Sequence, residues 1–167
     1  MNIEDFRSNE RTFGILVQVA GRAGRENQQG KVIIQTYNPE NFCIEHAKEQ
    51  DYDSFFNTEI AIRKSLNYPP FCDIIMFGIS GADEEEVIKA SKKLHNILKK
   101  NNKEVNMFPP VPAPIGRIKN KYRWRIIVKC KLNNSTVDWI NNALEEYYKL
   151  KYKNVTVVAD ANPSNLS

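Results

Sequence analysis

Long hydrophobic runs are absent from this sequence of 167 residues. No apolar stretch approaches the roughly 18 residues that a membrane-spanning helix needs, so we expect no membrane partner. The first residues, Met-Asn-Ile-Glu-Asp-Phe-Arg, also lack the basic and apolar segments of a signal peptide. Both absences favour a cytoplasmic location.

Cysteine is scarce as well. Cys43, Cys72 and Cys130 are odd in number and widely separated, which favours neither a disulfide framework nor a zinc cluster. Cys43 and His46 have a C-x-x-H spacing, but the second pair of ligands that a zinc site needs is lacking. We therefore predict no metal site in this chain and a reducing compartment.

A phosphate-binding loop is lacking too. The segment 24–31 has a spacer of five residues, and Val32 stands where a Ser or Thr would bind magnesium. No nucleophile and base can be paired by spacing. With 41% hydrophobic and 26% charged residues, the composition is that of an ordinary soluble globular protein.

Charge is distributed unevenly. Residues 1–67 carry 8 basic and 10 acidic side chains, whereas residues 68–167 carry 16 and 10, a net charge of +6. Within the second part, residues 117–131 hold seven Arg or Lys and no acid. This distribution predicts that a phosphate backbone binds the second part of the chain.

A row of polar residues lies on the first predicted helix, residues 6–22. Gln18, Arg22 and Arg25 recur at i, i+4 and i+7 and share one stripe, while apolar residues from Phe13 onward occupy the opposite face. Two arginines and a glutamine in a fixed row suit a polyanion such as triphosphate. The alternative is the ordinary solvated face of an amphipathic helix.

The string QVAGRAGR over this row resembles motif VI of superfamily 2 helicases, Q-x-x-G-R-x-G-R, whose arginines face ATP across two RecA-like lobes. Six further strings follow one another along the chain and are similar to the replication-restart helicases of the primosomal protein N′ (PriA) family. They lie at residues 5–13, 32–39, 49–52, 68–71, 112–115 and 122–124. The resemblance covers essentially the whole chain, but only the C-terminal part of such a helicase.

The resemblance implies a function for the intact protein. That protein is expected to be an ATP-dependent 3′-to-5′ DNA helicase that recognises stalled replication forks and initiates primosome assembly. Arg22 and Arg25, aided by Gln18, are the implied catalytic residues at the γ-phosphate, with ATP and magnesium held by the other lobe and zinc in a part outside this chain. Since the phosphate loop is lacking, we predict that the fragment alone is inactive.

The resemblance also implies partners: forked and single-stranded DNA, primosome proteins and single-stranded-DNA-binding protein. The acidic tail of the last is expected to dock within 117–125, where cations adjoin apolar residues.

Three domains are predicted. Residues 1–40 form a helix–strand remnant of a RecA-like α/β lobe, with a strand at 32–35. Residues 41–70 form a helical connector, whose helices begin at Asn38-Pro39 and at a cap, Asp51 or Asp53, and stop at Tyr68-Pro69-Pro70. Because the first part exposes an apolar face, self-association of the fragment is expected.

Residues 71–167 are predicted to be a DNA-binding domain of the α+β class with the ferredoxin-like order βαββαβ and both helices on one side. The predicted strands are 72–80, an interrupted edge within 105–117, 122–131 and 154–160. The predicted helices begin after Asp83 and at Ser135. The apolar face of the first is expected at Val87, Ala90, Leu94 and Ile97 or Leu98. Core positions on the second helix are expected at Val137, Ile140, Leu144 and Tyr147 or Tyr148.

The strand at 121–131 is the strongest candidate for DNA binding. Period-two alternation puts Tyr122, Trp124 and Ile126 on an apolar face that the helices cover, and the cations on the other face, which we expect to be open. The candidate DNA-binding residues are Arg117, Lys119, Lys121, Arg123, Arg125, Lys129 and Lys131. The alternatives are a solvated sheet face and, for the domain, an RNA-binding or ribosome-associated module with no link to ATP.

Overall fold

The computed structural model describes residues 5–23, 31–102, 105–164 and 166. Within these ranges the chain is α+β, with five helices and one antiparallel sheet, as predicted at the level of class. It divides into two compact units, Met1–Leu66 and Asn67–Ser167. None of the helices in the described ranges has the length and hydropathy that crossing a membrane requires.

The first unit is helical. Its helices are α1 (Ser8–Ala23), α2 (Phe42–Glu49) and α3 (Tyr52–Ser65). They enclose a small core of Phe13, Cys43, Ala47 and Phe55, in which the rings of Phe13 and Phe55 stack with centroids 4.1 Å apart. The predicted first helix and its apolar face are therefore confirmed.

The ends of α2 and α3 follow from capping side chains. Asp51 accepts a hydrogen bond from the backbone N–H of Ser54 at 3.0 Å, which confirms the predicted cap of α3. The predicted start of α2 at Asn38-Pro39 is wrong. Asn41 is the N-cap, accepting from the N–H of Cys43 at 2.9 Å, because its side-chain oxygen satisfies an otherwise unpaired helical donor.

The strand predicted at 32–35 does not form. Residues 31–36 lie outside any helix or strand, and Ile33 is 81% exposed. A β-strand requires a neighbour to pair its backbone groups, and the described part of this unit offers none. The β-branched composition of the segment is therefore not sufficient to make it a strand.

The second unit contains the sheet. Its elements are β1 (Asp73–Gly81), α4 (Glu84–Asn101), β2 (Asn106–Met107), β3 (Val111–Ile118), β4 (Lys121–Cys130), α5 (Asn134–Tyr148) and β5 (Val155–Ala161). The strand order is β2-β4-β1-β5, with β3 also paired to β4, and each pair is antiparallel. The proline-containing β3 pairs with β4 through an irregular register, so the predicted interrupted edge is confirmed.

One face of this sheet carries the main core. Ile75, Phe77 and Ile79 of β1 and Ile126 and Val128 of β4 pack against α4 and α5, because alternate residues of a strand point to the same face. The predicted apolar stripe of α4 is fully buried, and Asp83 caps the helix by accepting from the N–H of Glu86 at 2.8 Å. Both helices pack on this face, as predicted.

The buried face of α5 differs from the predicted one by a rotation of about one residue. Val137 is 42% exposed, whereas Trp139 and Ala143 are buried, with Ile140 and Tyr147 as predicted. Trp139 enters the core because its indole N–H donates to the carbonyl of Leu98 at 3.2 Å, which satisfies its polar atom there. The sequence pattern alone does not show that bond.

Candidate nucleic-acid interface

The two faces of β4 are separated as the sequence predicts. Trp124, Ile126 and Val128 pack in the core beneath the helices. On the opposite face, which we call the second face of the sheet, lie Arg123, Arg125, Ile127 and Lys129. The expectation that this face is open along its whole length is wrong, however: Arg125 is 7% exposed, Lys129 5% and Ile127 1%.

Lys129 is covered by aromatic rings. Its Nζ atom lies 3.4 Å from the centroid of the Tyr68 ring and 5.6 Å from that of Phe108. Burial lowers the pKa of Lys129, and the π faces of the two rings stabilise the charge that remains. Lys129 thus fixes the turn before β1 to the sheet, and a phosphate backbone cannot reach it in this conformation.

Arg125 lies in the middle of the second face. Its Cα is paired with Val111 on one side and with Gly78 on the other. It lines a depression of about 220 Å³, together with residues of β1, β4 and β5. Arg125 is therefore placed to meet a small group that enters the depression, rather than the outside of a duplex.

The exposed cations lie around the hairpin of β3 and β4. Ile118 pairs with Lys121, so the loop between them is only Lys119 and Asn120, whose φ angles are 48° and 62°. Positive φ at both loop positions is the conformation of two-residue type I′ hairpins. This loop places Lys119 at the tip with Lys121 beside it, both exposed.

Arg117 and Arg123 extend this cluster along the two strands. The guanidinium of Arg117 lies 4.9 Å from the centroid of the Tyr122 ring, which orients it while leaving it exposed. Arg123 is half-buried and donates to the carbonyl of Ile115 at 3.4 Å. Lys131 is also exposed, just beyond β4. Of the predicted DNA-binding set, five cations are thus at least partly accessible and two are buried.

The two predicted aromatics of β4 differ. Trp124 packs against the main core, as we expect from its position among Ile126 and Val128. Tyr122 is half-buried at the end of the strand beneath Arg117. It serves to orient a cation.

Two of the three motif VI residues can be placed. Gln18 and Arg22 are exposed on α1, one helical turn apart. Arg25 lies outside the described residues. Gln18 also lines a groove of about 540 Å³ between α1 and α3, whose other walls include Val17, Tyr52 and Phe56. The row is therefore exposed next to an apolar surface.

A buried ion pair in the first unit escapes sequence reasoning. Arg63 donates to Glu59 at 2.8 Å and to Glu10 at 2.9 Å, and so connects α3 to α1. Glu59, which is 6% exposed, also accepts from the side-chain amide of Asn9 at 3.3 Å. The i, i+4 spacing of Glu59 and Arg63 could have indicated the ion pair, but nothing in the spacing indicates that the pair is buried.

Within residues 5–23, 31–102, 105–164 and 166, no group of three or more His, Cys, Asp or Glu side chains is placed to hold a metal ion. Cys43 is 1% exposed, and its thiol donates to the carbonyl of Asn9 at 3.3 Å. Burial raises the pKa of Cys43, which disfavours the thiolate that a metal requires.

Comparison with known proteins gives the class to which the second unit belongs. Residues 64–164 match the family described as "Primosomal protein N C-terminal domain". The match extends over more than half of the chain, and the chain therefore belongs to this family.

Two curated relatives share a name. The chain is similar to replication restart protein PriA of Bacillus subtilis, with 38% identity over 98% of this chain and 20% of that protein. It is also 41% identical to replication restart protein PriA of Synechocystis sp., over 77% of this chain and 16% of that protein. The chain thus spans about a fifth of the length of the curated relatives it matches.

One solved structure illustrates a distant similarity. A de novo designed protein, Foldit4, aligns with a TM-score of 0.42 and 15% identity over 56% of this chain and 98% of its own. A similarity of this degree says nothing of function.

Proposed function

We propose that this chain is the C-terminal part of a replication-restart helicase and that its second unit binds DNA without regard to sequence. The observation that carries the proposal is the hairpin of β3 and β4, which exposes Arg117, Lys119 and Lys121 in a stretch with no acidic residue. Clustered cations that neutralise phosphates release counterions, and this release drives binding that ignores base sequence.

The conformation of the hairpin supports the assignment of DNA contacts to its tip. Lys119 has a φ of 48°, in the left-handed region that glycine or asparagine adopts at lower cost. This conformation places the charge of Lys119 at the exposed tip of the hairpin. We assign the DNA contacts to the accessible cations of the predicted set: Arg117, Lys119, Lys121, Arg123 and Lys131.

The parent enzyme is proposed to be an ATP-dependent 3′-to-5′ DNA helicase in the cytoplasm that recognises stalled forks and initiates primosome assembly. Gln18, Arg22 and Arg25 would act at the γ-phosphate, and the exposure of Gln18 and Arg22 on α1 supports this role. Such residues accelerate hydrolysis only where phosphate and magnesium are already held, and this sequence has no phosphate loop. The zinc site would also lie outside this chain.

We propose the following division of the chain. Residues 1–40 are the C-terminal end of the second helicase lobe, residues 41–70 are a helical connector, and residues 71–167 are a DNA-binding domain of ferredoxin-like type. The strand order supports the last point. If β2 and β3 are taken as one interrupted edge strand, the sheet has the order edge-β4-β1-β5 with antiparallel neighbours. This is the arrangement that βαββαβ connectivity produces when both helices lie on one face.

Competition among nucleic acids tests the proposal. Fluorescence anisotropy of a labelled forked DNA, competed with single-stranded DNA and with structured RNA at several salt concentrations, measures the preference. We expect both DNA forms to compete at lower concentration than RNA, and affinity to fall steeply with salt. A preference for RNA would instead favour an RNA-binding or ribosome-associated module.

The fragment itself is proposed to hydrolyse no ATP. A phosphate-release assay with the chain, single-stranded DNA and magnesium is expected to give no turnover above buffer. Turnover that disappears in Arg22→Ala would contradict this proposal, because the activity would then belong to this chain. Turnover that Arg22→Ala retains would point to a contaminating enzyme.

Protein partners are proposed from the same family relationship. The acidic tail of single-stranded-DNA-binding protein would dock within 117–125, and primosome proteins would bind the assembled helicase. Self-association of the chain is proposed from the exposed apolar residues of the first unit, among them Phe56 at 47%. Light scattering at increasing concentration tests it, and a strictly monomeric chain would contradict it.

A further inference from the structure

The depression on the second face of the sheet differs from the hairpin cluster in shape and chemistry. It has a volume of about 220 Å³, and its lining includes Met76, Gly78, Ser80, Arg123, Arg125 and Asp160. Val158, which also lines it, is 59% exposed, so a ligand can approach from solvent. The covered end of the face, where Lys129 contacts Tyr68, lies four residues farther along β1, at Ile74.

Gly78 lies at the centre of the depression. It is paired with Arg125 of β4 on one side and with Val158 of β5 on the other. Its φ is not in the positive region, and a Cβ added there meets nothing nearer than the carbonyl of Val158 at 4.0 Å. Neither conformation nor packing therefore requires glycine, although glycine weakens the interior of a strand. Its effect is to leave space on this face.

The polar groups around this space are of two kinds. Arg123 and Arg125 supply planar guanidinium groups, which bind phosphate oxygens and stack on bases. Asp160 is exposed and supplies carboxylate oxygens, which accept hydrogen bonds from base N–H groups. Two cations and one acceptor beside an apolar floor suit a nucleotide better than a bare anion, which Asp160 would repel.

The size of the depression restricts the ligand further. Pockets for drug-sized molecules have volumes of roughly 300–1,000 Å³. About 220 Å³ accommodates a single base, whereas a duplex presents its bases stacked and paired. The ligand that fits is therefore one unstacked base of a single strand.

We propose that the depression over Gly78 receives one unstacked base of single-stranded DNA, with Arg123 and Arg125 at its phosphate side and Asp160 at its edge. The inference rests on the proposed DNA binding, and it specifies where one base of the bound DNA strand is held beyond the hairpin cations. Those cations hold the backbone, and the depression discriminates single-stranded from duplex DNA.

A substitution that fills the space without changing charge tests the proposal. Gly78→Leu is expected to weaken single-stranded DNA binding about tenfold, the loss typical of one stacked base, and to leave duplex binding unchanged. Gly78→Ala, which fills less, should lose less. Gly14→Leu is the matched control: it adds the same side chain on α1 with nothing within 4 Å of its Cβ, and should not alter DNA binding. Melting temperatures of both Gly78 variants should equal or exceed that of the wild type.

Oligonucleotides with abasic sites separate base from backbone. At equal length and charge, an abasic strand should bind the wild type about as weakly as the normal strand binds Gly78→Leu. Equal binding of both strands to the wild type would overturn the proposal. An acidic peptide whose binding is weakened in Gly78→Leu, while single-stranded DNA binding to that variant is unchanged, would make a peptide the occupant and would also overturn it.

Two further results keep the inference separate from the proposed function. If Lys119→Gln with Lys121→Gln abolishes DNA binding while Gly78→Leu has no effect, the function stands and the base site is wrong. If neither variant alters DNA binding, the contacts lie elsewhere, and both the base site and the assignment to the hairpin are wrong. If the wild type binds no DNA, the proposed function itself fails. Should Gly78→Leu not fold, an amide NMR titration of the wild type with a short oligonucleotide decides: shifts at Gly78 and Arg125 support the site, and their absence at saturation overturns it.

Discussion

The two units of the chain differ in how much apolar surface each buries within itself. In the described part of Asn67–Ser167, fourteen residues form a continuous core between one face of the sheet and α4 and α5. In Met1–Leu66, four described residues form the core, while Ile15, Ile33 and Phe56 are 60%, 81% and 47% exposed. In the first unit the contacts of Arg63 with Glu59 and Glu10 add to a small core, whereas in the second the packing of a large core joins the elements.

This difference indicates which unit is better suited to the DNA binding that we propose. A sheet that packs its own helices holds the hairpin of β3 and β4 in a fixed place, and its cations therefore form a defined surface. The helical first unit exposes apolar surface and presents Gln18 and Arg22 on α1. The second unit is thus the one to test for binding, and the first is the one to test for stability.

The largest expected effect is in the core of the second unit. Phe77→Ala removes a ring that is 0% exposed, and we expect a loss of about 3–5 kcal/mol in the free energy of unfolding. Urea denaturation followed by circular dichroism measures it. Val158→Ala, on the exposed side of the same sheet, should change stability by less than about 0.5 kcal/mol. Equal losses of unfolding free energy in Phe77→Ala and Val158→Ala would contradict the assignment of the core to one face of the sheet.

The ion pair of the first unit comes next. Arg63→Ala leaves Glu59 buried without its cation, so we expect a loss of about 2–3 kcal/mol and weaker attachment of α1 to α3. Amide hydrogen exchange of α1 reports the attachment. Lys64→Ala, at an exposed neighbouring position, is the control. If Arg63→Ala left exchange unchanged, packing rather than polar contact would hold the first unit.

A smaller effect is expected at alkaline pH. Burial raises the pKa of Tyr147 to about 12, from 10.0. Because the folded state holds this proton more tightly than the unfolded state, the stabilisation is complete below pH 10 and is lost as the pH rises towards 12. Tyr147→Phe should flatten this decline by about 1–2 kcal/mol in denaturant titrations from pH 9 to 12. Burial also raises the pKa of Cys130, to about 11. Ionisation of this thiol in the unfolded state would account for the loss of stability that remains in Tyr147→Phe.

The smallest effect is expected at a helix cap. Asp83→Ala removes the acceptor for the N–H of Glu86 and should cost about 1 kcal/mol in the unfolding of the second unit. Asp83→Asn retains an acceptor and should cost a few tenths at most. A loss in Asp83→Asn as large as in Asp83→Ala would attribute the effect to charge at the helix dipole instead.

Much of the second unit could be predicted from period and caps. The stripe of α4, the cap at Asp83 and the alternation of β4 follow from spacing, because those elements pack on one side only. The stripe of α5 was shifted because Trp139 finds a hydrogen-bond acceptor at Leu98, on another helix. The prediction of a strand at 32–35 was wrong for a related reason. A strand needs a neighbouring strand to pair with, and the composition of a segment does not show whether one is present.

The candidate interface was predicted in part. Seven cations without an acid identified the region, but spacing cannot show that Tyr68 and Phe108 cover Lys129 from distant positions in the chain. The depression over Gly78 was not predicted either. Its walls come from β1, β3, β4 and β5, and only the register of the strands brings them together.

The salt dependence of DNA binding tests most directly that the accessible hairpin cations carry the function. Each phosphate contact on duplex DNA adds about 0.9 to the slope of log affinity against log salt. Replacing Lys119 and Lys121 by Gln should therefore lower the slope by about 2 and weaken binding to all sequences alike, whereas Lys149→Gln, an exposed lysine beyond α5, should leave it unchanged. A slope that the double variant leaves at the wild-type value would contradict the account.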